Sequence, residues 1–344
     1  MRYALTLAFA LLLTPASLGW AQDAPASTDE GVEIEEWDVP WEDTRPRDPA
    51  VDNQGRVWFC GQKGNYIAYL EPESGEFKQY EIAEGTHPHN LIIDDEGAVW
   101  YAGNMNAHIG KLDPDTGEIT QYPMPDEAAR DPHTLVFDSQ GNIWFTVQGG
   151  NFIGRLATET GKVDLVKVPT ERARPYGIKM DAQDRPWVVL FGSHKIATVD
   201  PSTLELEEFE LPRTEARPRR MELTADGSLW YVDYAEGFLG QFDTETREVV
   251  EEWKLPAGAD ARPYGTASDD QDRVWIAQSG PEPNTIVGFD TETKTFFGET
   301  EVPSGGGTIR YMYYYPPTQA IWFGADTNTI GRVTVSETAD PVGL

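Results

Sequence analysis

Tryptophan recurs along this chain at positions 58, 100, 144, 187, 230, 275 and 322, at intervals of 42, 44, 43, 43, 45 and 47 residues. A fixed period of this size means a stacked or radial repeat, in which each unit buries its apolar face only against its neighbours. Each Trp closes a phrase of one kind, such as Asp94-Asp-Glu-Gly-Ala-Val-Trp100, Asp138-Ser-Gln-Gly-Asn-Ile-Trp144 or Asp269-Asp-Gln-Asp-Arg-Val-Trp275. A segment like Ile109-Gly-Lys-Leu or Ile153-Gly-Arg-Leu follows, then a Thr-Gly or Asp-Pro turn and another alternating run. Four short runs per unit, separated by turn chemistry, are the signature of a propeller blade. The sequence therefore predicts an all-β, seven-bladed propeller of four-stranded blades. The recurring Trp would lie on the second strand and pack between blades.

The two ends of the repeat array complement each other. The unit holding Trp322 has three strands and runs out near Val335. The N-terminal run Val32-Glu-Ile-Glu-Glu-Trp-Asp-Val-Pro40 resembles a fourth strand, compare Leu204-Glu-Leu-Glu-Glu-Phe-Glu-Leu-Pro212. Residues 32–40 are expected to close the seventh blade as its outer strand and so hide edges that would otherwise pair with other chains. The propeller then spans 32–336, with no second domain and no need of a partner for stability, so a monomer is expected.

Residues 1–21 read as a secretory signal: Arg2, the apolar run Ala4 to Leu13, and small residues around Ala21. Residues 22–31 read as a flexible leader and 337–344 as a short tail. A periplasmic or secreted protein is expected, with no stable membrane insertion after cleavage, because no other stretch is apolar long enough to span a bilayer. Cys60 is the one cysteine, in the apolar run Val57-Trp-Phe-Cys60, and reads as a buried structural thiol. A net charge of −31 excludes nucleic acid and anionic membrane surfaces as partners.

Counting back eleven residues from each Trp gives Arg47, His89, His133, Tyr176, Arg219, Tyr264 and Tyr311, the first six each preceded by Pro. This position enters the innermost strand, so all seven side chains should converge on the axis at one rim. Two residues earlier stand Arg45, His87, Asp131, Arg174, Arg217, Arg262 and Ile309. Guanidinium forks suit carboxylate or phosphate groups, and tyrosines add flat faces with a polar tip. A small-molecule or peptide ligand, anionic or aromatic, fits this funnel. Plugging of the channel by these long side chains is the competing structural role. His89 and His133, on adjacent blades, are the candidate acid–base pair. His108 and His194 fall on third strands and read as surface residues.

The phrases Ala173-Arg-Pro-Tyr-Gly-Ile178, Asp138-Ser-Gln-Gly-Asn-Ile-Trp-Phe145 and Asn151-Phe-Ile-Gly-Arg155 resemble the streptogramin B lyases (virginiamycin B lyase family), over essentially residues 32–335. The resemblance implies a seven-bladed propeller that linearises a cyclic depsipeptide by elimination across its ester, with Mg²⁺. It also implies acid–base histidines in Pro-His phrases on neighbouring blades and a Glu three residues after a blade Trp. At the late-blade positions where the family keeps them, this chain has Arg219, Tyr264 and Gln278; the Pro-His phrases fall instead at His89 and His133. Arg stays protonated and Gln accepts no proton, so the lyase set is mostly replaced. A binding propeller with Arg47, Arg174, Tyr176, Arg217, Arg219, Arg262, Tyr264, Gln278 and Tyr311 around its ligand is expected first. A carbon–oxygen lyase using His89 and His133 is the alternative.

Overall fold

The computed structural model describes residues 21–23 and 31–335. Seven blades of four antiparallel strands surround one axis, running from an inner to an outer strand in chain order in blades 1 to 6. We number the blades 1 to 7 by their inner strands: Pro46–Val51, Leu91–Ile93, Pro132–Phe137, Pro175–Met180, Pro218–Leu223, Pro263–Ser268 and Ile309–Tyr315. Blade 7 takes its outer strand from the N-terminus, with Glu33–Asp38 antiparallel to Thr329–Thr334. Asn328 fastens this closure by donating to the carbonyls of Val39 and Trp41 at 3.1 and 2.8 Å and accepting the Thr44 amide.

Gln22 and Asp23, expected in the leader, depart from that expectation. With Ala21 they run parallel to the outer strand of blade 5, pairing Ala21–Asp23 with Glu252, Trp253 and Lys254. An outer strand offers unpaired backbone groups, and any extended segment that reaches it can use them. The remaining residues of the signal, leader and tail lie outside the described residues.

The repeating Trp does pack between blades. Trp58 of blade 1 sits with Leu91, Val99 and Leu112 of blade 2. Trp144 of blade 3 sits with Ile178 and Val188 of blade 4, and Trp322 of blade 7 with Val51, Val57 and Phe59 of blade 1. The Asp six residues before the Trp has a physical reason: its carboxylate accepts the indole N–H, at 2.7 Å for Asp52–Trp58 and 2.9 Å for Asp181–Trp187. The same carboxylate closes the hairpin turn by accepting backbone amides two and four residues on. In the Ile-Gly phrases, a Cβ on Gly110 or Gly154 would lie 2.1–2.2 Å from the ring of Tyr101 or Phe145, so only Gly fits. Cys60 is buried, and burial pushes its thiol well above the ordinary range.

Candidate functional site

Six of the seven inner strands break register at the column that the sequence singles out, for example between Pro132 and Leu135, Pro175 and Ile178, and Pro263 and Thr266. A bulge re-aims a side chain that regular pleating would send into the sheet. Just before it, Arg45, His87, Arg174 and Arg262 hold φ between 43° and 52°, the left-handed turn that delivers the chain to the rim.

The bulges bring Arg47, His89, His133, Tyr176, Arg219 and Tyr264 together on the axis. The His89 and His133 rings meet with centroids 3.6 Å apart, and His133 packs on Tyr176 at 4.1 Å. The Tyr176 and Tyr264 hydroxyls share a hydrogen bond across the axis. The Arg219 guanidinium lies 3.6 Å from the Tyr264 ring centroid and 5.2 Å from that of Tyr176.

Tyr311 is a correction. Each Trp of blades 1 to 6 pairs with the residue eight positions before it, such as Trp144 with Val136, but Trp322 pairs with Tyr313, nine before. The blade 7 hairpin carries one extra residue in its Pro316–Thr318 turn. Arg310 therefore occupies the rim position, and Tyr311 belongs one layer deeper. Gln278 is a second correction. Its amide is spent inside blades 5 and 6: it donates to Thr285 Oγ1 at 2.8 Å and Glu299 Oε1 at 2.6 Å and accepts the Ala257 amide at 3.0 Å. Arg217 turns back to the carbonyls of Thr214 and Ala216, while Arg174 reaches over the Phe191 ring at 5.4 Å and Arg262 stands exposed at the rim. His108, expected at the surface, is buried edge-on to Tyr101.

A deeper layer escaped the sequence reading. One residue past the rim column stand Asp48, Asn90, Thr134, Gly177, Arg220, Gly265 and Tyr311. Arg220 reaches from blade 5 across the axis. It donates to Asp48 of blade 1 at 3.3 Å, Thr134 of blade 3 at 3.1 Å and the Arg310 carbonyl of blade 7 at 3.2 Å. Asp48 also accepts Arg47 Nε at 2.8 Å and Asn90 Nδ2 at 3.1 Å. This latch bridges blades 1, 3, 5 and 7 across the axis beneath the rim. The wall of the rim was missed too: Gln62, Asn104, Phe191, Tyr234 and Asp326 each stand four residues after a blade Trp. Aligning that position would have found them. Phe191 and Tyr234 complete an aromatic box round Arg219, at 4.6 and 4.3 Å. Asp326 instead binds Arg310 and pairs with Arg45 at 3.5 Å.

The electrostatics are one-sided. Arg47 and Arg220 share one carboxylate, Asp48, and Arg219 lies among aromatic rings. Burial, then the charge of Arg47, holds His89 well below the ordinary imidazole range. Burial, then Arg220 and Arg47, does the same to His133. Both rings are neutral at pH 7. Thr134 Oγ1 accepts from Arg220 at 3.1 Å and lies 2.8 Å from His133 Nδ1. Burial raises the Tyr176 phenol, but Arg219, Arg220 and Arg47 outweigh it and leave Tyr176 below the usual range; Tyr264 is pushed up to about 12 by burial and by Tyr176. Arg47 Nη2 and Arg219 Nε are buried without a protein acceptor, and His133 Nε2 and His89 Nδ1 are also unpartnered. Buried donors of this kind cost free energy until an acceptor arrives.

The donor set does not fit Mg²⁺. That ion takes oxygen ligands, carboxylates above all. Among the described residues no group of three or more His, Cys, Asp or Glu side chains could hold a metal. The one carboxylate of the axial cluster is already shared between two guanidiniums.

The sequence model of the virginiamycin B lyase family matches residues 21–287. The chain belongs to the virginiamycin B lyase family. Selenomethionine-substituted virginiamycin B lyase from Staphylococcus aureus superposes with a TM-score of 0.80 at 24% identity, over 88% of this chain and 99% of that one. A streptogramin B lyase structure gives 0.80 at 25% identity, over 88% and 98%. The extracellular domain of a hybrid two-component system from B. thetaiotaomicron gives 0.70 at 14% identity, over 90% of this chain and 44% of that one. No curated protein matches the sequence significantly. Family membership fixes the scaffold; the axial chemistry has to be read from the residues present.

Proposed function

We propose that this member of the family is an exported binding propeller that holds an anionic ligand with an aromatic part at the axial rim, without turnover. The observation that carries this is the cationic excess: three guanidiniums, Arg47, Arg219 and Arg220, against Asp48, with donors left over. An anion between Arg47 and Arg219 would supply the missing acceptor. Arg219 is the half-exposed member of that group, which puts ligand entry on its side. Phe191, Tyr234 and Tyr264 would face the aromatic part. The ligand is a small molecule or peptide, and the propeller acts as a monomer outside the cytoplasm.

The alternative is ring-opening elimination with His89 or His133 as base. Both imidazoles sit among guanidiniums that penalise proton uptake, which argues against either as an efficient base. Two measurements decide. Calorimetric titration with phenyl phosphate, benzoate and uncharged benzyl alcohol should show the anions binding at least tenfold more tightly. Arg219→Met should cost them about tenfold or more, since a charge-assisted hydrogen bond contributes roughly 1.5–3 kcal/mol. Equal binding of the alcohol, or no effect of the substitution, would refute the anion site. Incubation with a streptogramin B depsipeptide, with and without Mg²⁺, tests turnover. Elimination leaves mass unchanged and hydrolysis adds one water, so chromatography is needed alongside mass spectrometry. A linear product that disappears in His89→Ala and His133→Ala would replace binding by catalysis.

A further inference from the structure

We infer a second ligand site at the opposite mouth of the axial channel, built for an uncharged, mostly hydrocarbon molecule carrying one acceptor oxygen. Beyond the Arg220 latch the channel opens into a cavity of about 320 Å³, within the size range of small-molecule sites. Its wall is aliphatic and aromatic, with Leu91, Ile92, Val136 and Ile178 on blades 2 to 4 and Tyr313 on blade 7. Polar side chains on this wall are few. Lys179 reaches in from blade 4 and Tyr311 from blade 7.

The floor decides the ligand's charge. Lys179 Nζ is 2.6 Å from Glu222 Oε2, and the other Glu222 oxygen accepts Thr266 Oγ1 at 2.7 Å. Behind them Arg220, 4.9 Å from the Tyr311 ring, is paired with Asp48. Each cation at this end already has its anion, so an incoming carboxylate or ammonium would bring an uncompensated charge against a wall of apolar side chains, which is costly. Lys179 has three N–H donors and Glu222 answers one of them in this structure. The remaining donors suit a ketone, ester or alcohol oxygen, while the hydrocarbon body lies against Ile92, Val136, Ile178 and Tyr313.

This contrasts with the rim on the other face, where unanswered guanidiniums select an anion. The two ends of the axis would thus have opposite preferences, with the Arg220–Asp48 pair between them.

The test is a titration of the full-length protein with octan-2-one and with octanoate, followed by calorimetry and saturation-transfer NMR. The ketone should bind saturably and at least tenfold more tightly than the carboxylate. Ile92→Trp and Val136→Phe each fill the cavity from a different blade, with folding checked by near-ultraviolet circular dichroism, and should abolish ketone binding. Arg219→Met, on the other face, should leave it unchanged. Absence of saturable binding, binding of octanoate as tightly as the ketone, or ketone binding that survives in a folded cavity-filled variant would overturn the site.

Discussion

Asp48→Asn is the sharpest probe of how this propeller is held together at its axis. The Asp48 carboxylate is fully buried and accepts from Arg47 at 2.8 Å, Asn90 at 3.1 Å and Arg220 at 3.3 Å. Its φ is 49°, a left-handed conformation that Asn adopts readily, so the substitution removes charge without straining the backbone. What remains is two buried guanidiniums facing an amide. Breaking a buried pair by removing one partner costs about 3–5 kcal/mol, because the other charge stays behind unpaired. For a domain of this size that corresponds to a fall in Tm of roughly 6–10 °C, near 2 °C per kcal/mol. Calorimetry and denaturant midpoints measure it. Adding Arg220→Met removes one of the stranded charges and fills its volume, so the double variant should be more stable than the sum of the singles requires, by about 1.5 kcal/mol or more. A loss below about 1 kcal/mol in Asp48→Asn, or strict additivity in the double variant, would refute the latch as a stabilising element.

Two further outcomes follow from the same geometry. His89 and His133 are held neutral, so the unfolded chain takes up protons that the folded one refuses; their contribution is complete above about pH 6.5 and is lost as pH falls below it. Each should cost about 1.4 kcal/mol per pH unit below 6.5, until its folded-state titration is reached. Denaturation midpoints between pH 7 and 5 should fall less steeply in His89→Asn than in the parent, and an unchanged slope would contradict this. Deleting residues 32–40 removes the outer strand of blade 7, the Trp37–Trp322 contact at 5.5 Å and the Asn328 bond to the Val39 carbonyl. Tm should drop sharply, and no change would mean the ring closes without this strand.

Much of this molecule is legible in its sequence for a definite reason. In a propeller each repeat touches only its neighbours, so a period in the chain becomes a period in space. Seven Trp phrases therefore determined the blade count, the placing of Trp between blades and the closure by residues 32–40. They also placed six of the seven rim side chains, since one register position in a radial repeat maps to one radius. Tyr311 shows where this fails. One extra residue in a hairpin shifts the alignment, and only the strand pairing of Trp322 with Tyr313 reveals it. The deeper layer was out of reach for another reason. Arg220 and Asp48 are 172 positions apart and meet because bulges turn both toward the axis. No local pattern encodes a contact across an axis. The sequence determined which donors gather at the rim; only the tertiary structure decided which are neutralised and which are left over, and that a cavity opens at the far end of the axis.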